Sequence, residues 1–550
     1  MAKDLSIVDV SGRPIRARAD NGAGTGSLAN NVGRGFFPYQ AAEWQTQEMG
    51  AWLPWIRSPD AEINQFRDRM VARSRDLTRN DGFATGGVTR ILDNSVGASL
   101  RLSASPDYRA LAVTTGKAFD MTWADEFRKA AEALWRSYAN DIGHYNDVSR
   151  QLTVSQQQRL GLRHKLIDGE DLFITYWMPE RVGRGGAKYA TAFLLVDPDR
   201  LSNPYQAMDS EFMRNGVELD RYGVPVAYHI RKAHQNDWYA TIDSMTWERV
   251  EREDADGWRR VIHDFERDRA GQNRGIGVFT PVLSHAKMLA RYYGIELQAA
   301  ALAASIGTYV TSPYDPSEVM DAVGGDQELG FYQKLRGEWN DERPAMFNGV
   351  RVSALAPGED IKSLSSDHPH SGFTDFAHEM QRAIASALGV SAEQISQDWT
   401  QTTYSSARAA LLESWKTLVR RRQEFAVGTA TPMYAVWLRE AMERGQLPLP
   451  NGAPDFIECA TEYSACSWLG PARGWVDPVK EPQGSILKMD AGLSTLKQEC
   501  AEQGTDWEEQ LDQRQIELKA YADRGIPLPD WGGAEVATRT DEPAKEPQPV

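Results

Sequence analysis

A capping hydroxyl followed by proline, Thr280-Pro281, opens a stretch of chain with no further proline and no clear stop until Gly307. Residues 281–306 are therefore expected to form one helix, roughly 39 Å long at 1.5 Å per residue. Its second half, Gln298-Ala-Ala-Ala-Leu-Ala-Ala-Ser305, is almost entirely small side chains, which let neighbouring helices approach closely. A helix of this length with an alanine face packs in a bundle more often than it lines a ligand pocket. Ala300 and Ala303 are the expected packing positions.

The chain after this helix returns to helical patterning once a short β-rich excursion, residues 312–366, has been passed. Met346-Phe-Asn348-Gly349-Val-Arg-Val352 carries the Asn-Gly pair of a type I′ hairpin, and Pro357-Gly-Glu-Asp360 supplies the next turn. A second helix then places Phe373, Phe376, Met380, Ile384 and Leu388 at helical spacing and stops at Gly389. Residues 390–404 read as a polar loop, and a long helix runs from about Ser406 to Phe425. Arg420-Arg421-Arg422 stands at its end, where the helix dipole favours positive charge. The expected order is helix, small β element, helix, loop, long helix.

Upstream, Ala61–Ser74, Trp123–Ala139 and Ser155–Ile167 carry helical apolar spacing. Leu172–Trp177, Tyr189–Val196, Val224–Ile230 and Trp258–Phe265 are β-branched or aromatic runs bounded by Gly, Asp and Pro, and Asp220-Arg-Tyr-Gly223 joins two strands as a hairpin. The Gly- and Asn-rich residues 1–38 read as a mobile arm, and 531–550, interrupted by prolines, as a disordered tail. With 61 basic against 77 acidic residues the net charge is −16, which disfavours tight nonspecific binding to nucleic acid. Three cysteines in a 550-residue chain do not make a disulfide framework, and no apolar run is long enough for a membrane span. The expectation is a soluble intracellular protein.

Motifs for chemistry fall short. His378-Glu379 is followed at the ligand position by Arg382 instead of a second histidine. Gly183-Arg-Gly-Gly186 and Gly116-Lys117-Ala118 lack the spacing of a phosphate loop, and Cys459 and Cys466 form no CxxC pair. There is no G-x-S-x-G elbow, and Asp168 with Glu170 reads as a turn before a strand rather than an acid/base pair. No catalytic residue, cofactor or metal is expected.

Several segments nevertheless form an ordered set: Arg79-Asn-Asp-Gly-Phe-Ala, Asp168-Gly-Glu-Asp-Leu-Phe, Val217-Glu-Leu-Asp-Arg-Tyr-Gly-Val-Pro-Val-Ala-Tyr-His, Gly271-Gln-Asn-Arg-Gly-Ile-Gly, Leu355-Ala-Pro-Gly-Glu, Tyr404-Ser-Ser-Ala-Arg and Trp475-Val-Asp-Pro-Val-Lys-Glu, extended by Ala501-Glu-Gln-Gly-Thr-Asp-Trp-Glu-Glu. In this order the chain resembles the portal proteins of lambda-type tailed bacteriophages. The resemblance implies an α+β subunit of a ring, usually twelvefold, at one capsid vertex. Double-stranded DNA would pass through it without sequence specificity. The ring would dock the large terminase subunit and then head-tail adaptor proteins, beside major capsid and scaffold proteins, and would belong to the virion after assembly in the host cytoplasm.

Carried onto this chain, the resemblance implies a wing over 39–277, a first stem helix over 278–311, a clip over 312–366 and a second stem helix over 367–389. It implies a tunnel loop over 390–405, a long helix over 406–426, and a wing return and crown over 427–530. Gln394, Gln397, Asp398, Thr400 and Gln401 would then be near DNA, while Tyr404, Ser405, Ser406 and Arg408 carry the family motif. Ala300, Ala303, Phe376 and Met380 would pack the stem, and Asn348 and Gly349 would form the clip turn. The loop has no Lys or Arg, so its contact with DNA would be steric or through uncharged groups. Its composition is also that of any exposed connector, and only its implied position favours the tunnel. Arg382, Arg408 or Lys416 would give weak phosphate contacts or intersubunit salt bridges. The alternatives are a passive capsid or adaptor component and an enzyme with an unrecognised site.

Overall fold

The computed structural model describes residues 41, 49, 51–116, 118–305, 309–311, 334, 338, 345–347, 350–352, 360–362, 372–400, 402–474 and 477–527. The expected arm and tail lie outside them, as do Asn348, Gly349 and most of 312–366. The chain divides into a unit of residues 1–58 and a unit of residues 59–550, and the second holds all the helices and sheets that position the site.

This unit opens with helices Pro59–Asn80, Gly82–Ser95, Tyr108–Thr115, Met121–Ala139 and Val154–Ile167. Side-chain caps set several of their starts: Asp81 accepts from the Ala84 amide at 2.8 Å and Asp120 from the Trp123 amide at 2.8 Å. Trp123, Phe127, Ala131, Trp135 and Tyr138 repeat at helical spacing and are all buried. They pack on Tyr434 and Trp437 of helix Thr431–Glu443, joining parts of the chain three hundred residues apart. Fully burying an aromatic of this size stabilises the fold by about 1.5–3 kcal/mol.

Two antiparallel sheets come next. The first orders Thr191–Leu195, Glu170–Trp177 and Val261–Phe265; the second orders Met213–Arg214, Val217–Leu219, Pro225–Arg231 and Trp247–Glu251. Leu172, Ile174, Val217, Tyr228, Ile230, Val250 and Val261 fill a core shared by the two sheets. The hairpin at Asp220 forms as expected, with Gly223 at a φ of 79° and its amide donating to the Asp220 carbonyl at 3.0 Å. Arg101–Ala104 pairs with Cys466–Leu469, so residues after the long helix return to the amino-terminal helices.

The long helix starts differently from the expectation. Thr280-Pro281-Val282 is a 3-10 turn and the α-helix proper is Leu283–Ser305. The Thr280 hydroxyl is buried with no hydrogen-bond partner, so it is not the cap. Proline at the first position is compatible with either kind of turn, which is why the sequence did not separate them. In the excursion, Ala345–Phe347 pairs with Val350–Val352 with Phe347 opposite Val350, the register of a two-residue turn. Tyr309–Thr311 pairs with Asp360–Lys362, bringing its two ends together. The carboxyl-terminal helices Lys480–Asp490, Leu496–Glu502 and Trp507–Arg524 bury no residue of their own. The last of them is tied by charge, with Arg128 to Glu508 at 2.5 Å and Glu509 paired to Arg101 and Arg136.

Candidate functional site

The helix Phe373–Leu388 ends at Gly389, whose φ of 67° lies in the left-handed region that only glycine enters freely. The next residues are not a plain polar loop. Ala392–Ser396 is helical and is started by a capping box in which Gln394 accepts from the Ser391 amide at 3.0 Å. Ile395 is buried among Val88, Ile91 and Leu388. The motif Ser391-x-x-Gln394 carried this signal in the sequence and corrects the loop reading for 391–396. Gln394 therefore has a structural role, and it also lines a small cleft with Arg408 and Trp415.

Residues 397–400 are the exposed part. Gln397 takes a φ of 59° and donates to the Gln394 carbonyl at 2.6 Å. Asp398 accepts from the Thr400 hydroxyl at 2.6 Å and the Thr400 amide at 3.0 Å, bonds that hold its carboxyl below the usual carboxylate range. Gln401 lies outside the described residues. Thr403 and Ser406 then form a second capping box, which starts helix Tyr404–Phe425. Of the residues expected to carry the family motif, Tyr404 is exposed, the Ser405 hydroxyl lies 3.3 Å from that of Thr403, and Arg408 pairs with Glu481 at 3.4 Å. Ser406 thus helps set the helix start and Arg408 ties it to Glu481.

Arg422 stands in the last turn of helix Tyr404–Phe425, as expected, but the helical path does not end there. The backbone continues through a π-helical turn, Ala426–Ala430, into Thr431–Glu443. The three arginines act separately. Arg421 donates to the Leu388 carbonyl at 2.7 Å, and Arg422 to those of Ser95 at 2.8 Å and Asn94 at 2.9 Å. They satisfy the last carbonyls of two other helices. Arg420 pairs with Glu266 at 2.8 Å and Glu424 at 2.6 Å.

Ser405, Ala409, Leu412, Lys416, Arg420 and Gln423 share one exposed stripe of the long helix. Each cation expected near DNA has an acid on its own chain: Lys416 with Glu413 at 2.7 Å, Arg382 with Glu379 at 3.0 Å, and Arg408 with Glu481. Between helices Leu283–Ser305 and Phe373–Leu388, Tyr292 and Tyr293 meet Phe373, and Tyr292 also meets Phe376 with ring centroids 5.1 Å apart. Met380 is partly buried, Ala300 is exposed, and the Ala303 side chain is outside those described. The contact between these two helices within the chain is aromatic; the adjacent Tyr292-Tyr293 was the signal the alanine-based reading passed over.

The strongest charge cluster joins two of the ordered sequence segments. Glu170 is fully buried and bonds Arg274 at 2.6 Å and Arg67 at 2.9 Å. Burial alone would raise its carboxyl, but the charges of Arg274 and Arg67 outweigh this and hold it well below the usual range. Next to it, the Thr429 hydroxyl of the π turn donates to Asp171 at 3.1 Å, and Lys165 pairs with Asp264 at 2.5 Å. Burial and then the Asp264 charge push the Asp171 carboxyl well above its ordinary value. His164, Asp168 and Asp197, with Asp199 and His234 beside them, resemble metal ligands in type. Arg75 already bridges Asp168 at 2.8 Å, Asp197 at 2.5 Å and Asp199 at 3.1 Å, which supplies the positive charge these acids need. Among the described residues no helix is long and apolar enough to cross a membrane.

The family model for phage portal proteins of the lambda family matches residues 45–422. The chain belongs to this family. It is 32% identical to portal protein B of Escherichia phage lambda over 88% of this chain and 90% of that protein. It is 31% identical to the portal protein of Escherichia phage N15, over 88% and 91% respectively. Among solved structures, the neck of an empty gene transfer agent particle is similar with a TM-score of 0.38 and 13% identity, covering 78% of this chain and 93% of that one. A lambda-family portal protein is a structural component of the phage head-tail connector and not an enzyme.

Proposed function

We propose that this portal protein assembles as a dodecameric ring at one capsid vertex, through which double-stranded DNA is packaged and ejected. The long-helix stripe and residues 397–402 face the channel in this reading. The observation that carries it is the charge matching of that stripe. Every neutralised phosphate adds affinity through counterion release, so a lining of free cations would hold DNA in place, whereas cations already paired to Glu413, Glu266 and Glu424 leave it free to slide. The segment 312–366 would be the clip that meets the large terminase subunit and later the head-tail adaptor. The sheets would form the wing beside major capsid and scaffold proteins, with assembly in the host cytoplasm. Particle images of the purified protein test the ring: a central hole supports it, and a compact monomer ends it.

Deleting Gln397–Thr402 is expected to leave rings intact while changing the amount of DNA packaged or retained, because Gln394 and Thr403 keep their caps on either side. Packaging equal to the parent would reduce the segment to a connector. Ala300 lies exposed on the long stem helix, where a neighbouring copy would cover it. Ala300→Glu is expected to lower the ring fraction seen by sedimentation without moving the unfolding midpoint. Intact rings would remove this face from the seam.

A further inference from the structure

We propose that residues 232–246, the excursion between strands Pro225–Arg231 and Trp247–Glu251, form a knob that seats in a cleft beside Trp177 and Trp258 of the next copy, making a head-to-tail contact around the ring. The inference rests on the dodecameric-ring reading and adds the surface that joins one copy to the next.

The knob is apolar and open. Trp238 is 86% exposed, Tyr239 74%, Ile242 83% and Met245 65%. A monomeric soluble protein rarely leaves so much aromatic and aliphatic surface in one place, and such residues are the usual anchors of interfaces. Its base is fixed beforehand. Arg231 is buried, donates to the Ser244 carbonyl and the Ser202 hydroxyl at 2.9 Å each, and lies 4.5 Å over the Trp247 ring. The Trp247 indole N–H also donates to Ser202, at 3.0 Å. A tip held this way loses little conformational freedom on binding.

The cleft has a volume of about 480 Å³ and is lined in part by Trp177, Trp258, Arg259 and Arg260. Trp177 is largely exposed, and the Trp258 indole N–H is buried with no acceptor. The acids lining the cleft are already engaged. Arg439 bonds Asp254 at 3.2 Å and Glu443 at 2.9 Å, while Glu440 accepts from the Ala190 and Thr191 amides at 2.7 and 2.9 Å. Arg259 and Arg260 form no ion pair among the described residues, and neither do Asp237 and Asp243 on the knob. The knob therefore offers aromatic surface with two carboxylates, beside Lys232 at its first position and His234, which pairs with Asp199 at 3.4 Å; the cleft offers aromatic surface, two guanidinium groups and an unpaired donor.

Topology makes the contact intermolecular. Strand Trp247–Glu251 begins at the knob and ends where the chain turns toward Asp254 and Trp258. Its five residues hold the two features roughly 17 Å apart at opposite ends of the strand. Two different complementary patches on one chain give a heterologous contact, which closes into a ring when the rotation allows.

The test uses the full chain. Trp177→Cys with Ile242→Cys, oxidised and run on a denaturing gel beside the parent, is expected to give a ladder of covalent multimers beyond the dimer. Asp237→Lys with Asp243→Lys, and separately Arg259→Glu with Arg260→Glu, should each lower the ring fraction by about tenfold or more, and combining all four should restore it. Restoration also excludes misfolding as the cause of the loss. Rings in particle images with only monomers or dimers on the gel, or charge variants that assemble like the parent, overturn this contact and leave the ring reading in place. A parent protein that forms no ring overturns both.

Discussion

Replacing Glu170 with alanine is expected to lower stability by about 3–5 kcal/mol, the cost of leaving a buried charge without its partner. Arg67 and Arg274 are 1% and 0% exposed at their side chains and both direct a guanidinium group at this carboxylate. Without it, two like charges face each other in the dry junction between helix Pro59–Asn80 and the three-stranded sheet. Glu170→Gln keeps the shape and some acceptor capacity and should lose less. Denaturant titration of the purified variants measures both, and a parent-like midpoint for Glu170→Ala would refute the role. The pH dependence has a definite sign. The folded carboxyl lies below its ordinary value of 4.5, so its contribution is fully present above that pH and is lost as pH falls toward the folded value. Glu170→Gln should therefore flatten acid unfolding in that range.

Gly169→Ala and Gly275→Ala are expected to cost about 2–5 kcal/mol each, through overpacking and, at Gly169, backbone strain. Gly169 has a φ of 95°, and a Cβ there would overlap the Ile276 backbone; a Cβ on Gly275 would overlap the Gly169 carbonyl. Both clashes are with main chain, which has no rotamer to move away. Gly82 has open space around its Cβ direction and an ordinary φ, so Gly82→Ala is the control and should be neutral or slightly stabilising. Thermal unfolding of the three variants separates the cases. Equal midpoints would mean that the two segments around Gly169 and Gly275 do not pack as tightly as the structure has them.

These effects explain why Asp168-Gly-Glu-Asp and Gly271-Gln-Asn-Arg-Gly-Ile-Gly are informative as sequence. They are two halves of one junction, in which Arg274 reaches Glu170 and the glycines let the strands of chain touch. Asp81, Asp220, Ser406 and Asp506 likewise begin helices or close turns. Among the described residues, these segments thus record backbone junctions, as expected of a protein whose work is done by shape and assembly.

Local signals determined much of this chain from its sequence. Runs of β-branched and aromatic residues bounded by Gly, Asp and Pro placed the strands around Phe173, Phe193, Tyr228 and Ile262, and the helical apolar spacing over Trp123–Ala139 placed a buried helix face. Gly389 stopped helix Phe373–Leu388 because only a left-handed residue fits there. These features depend on residues within a few turns of one another, so periodicity and cap chemistry suffice. The tertiary structure alone decided the rest. Arg421 and Arg422 look like a dipole-matched helix end until Leu388, Ser95 and Asn94 are brought beside them. Lys416 and Arg382 look available to DNA until their acids are seen. The pairing of Arg101–Ala104 with Cys466–Leu469 and the meeting of Glu170 with Arg67 and Arg274 have no local cause. Ion pairs and strand partners distant in sequence are chosen by which surfaces the packed core brings together, and a linear pattern holds no record of that choice.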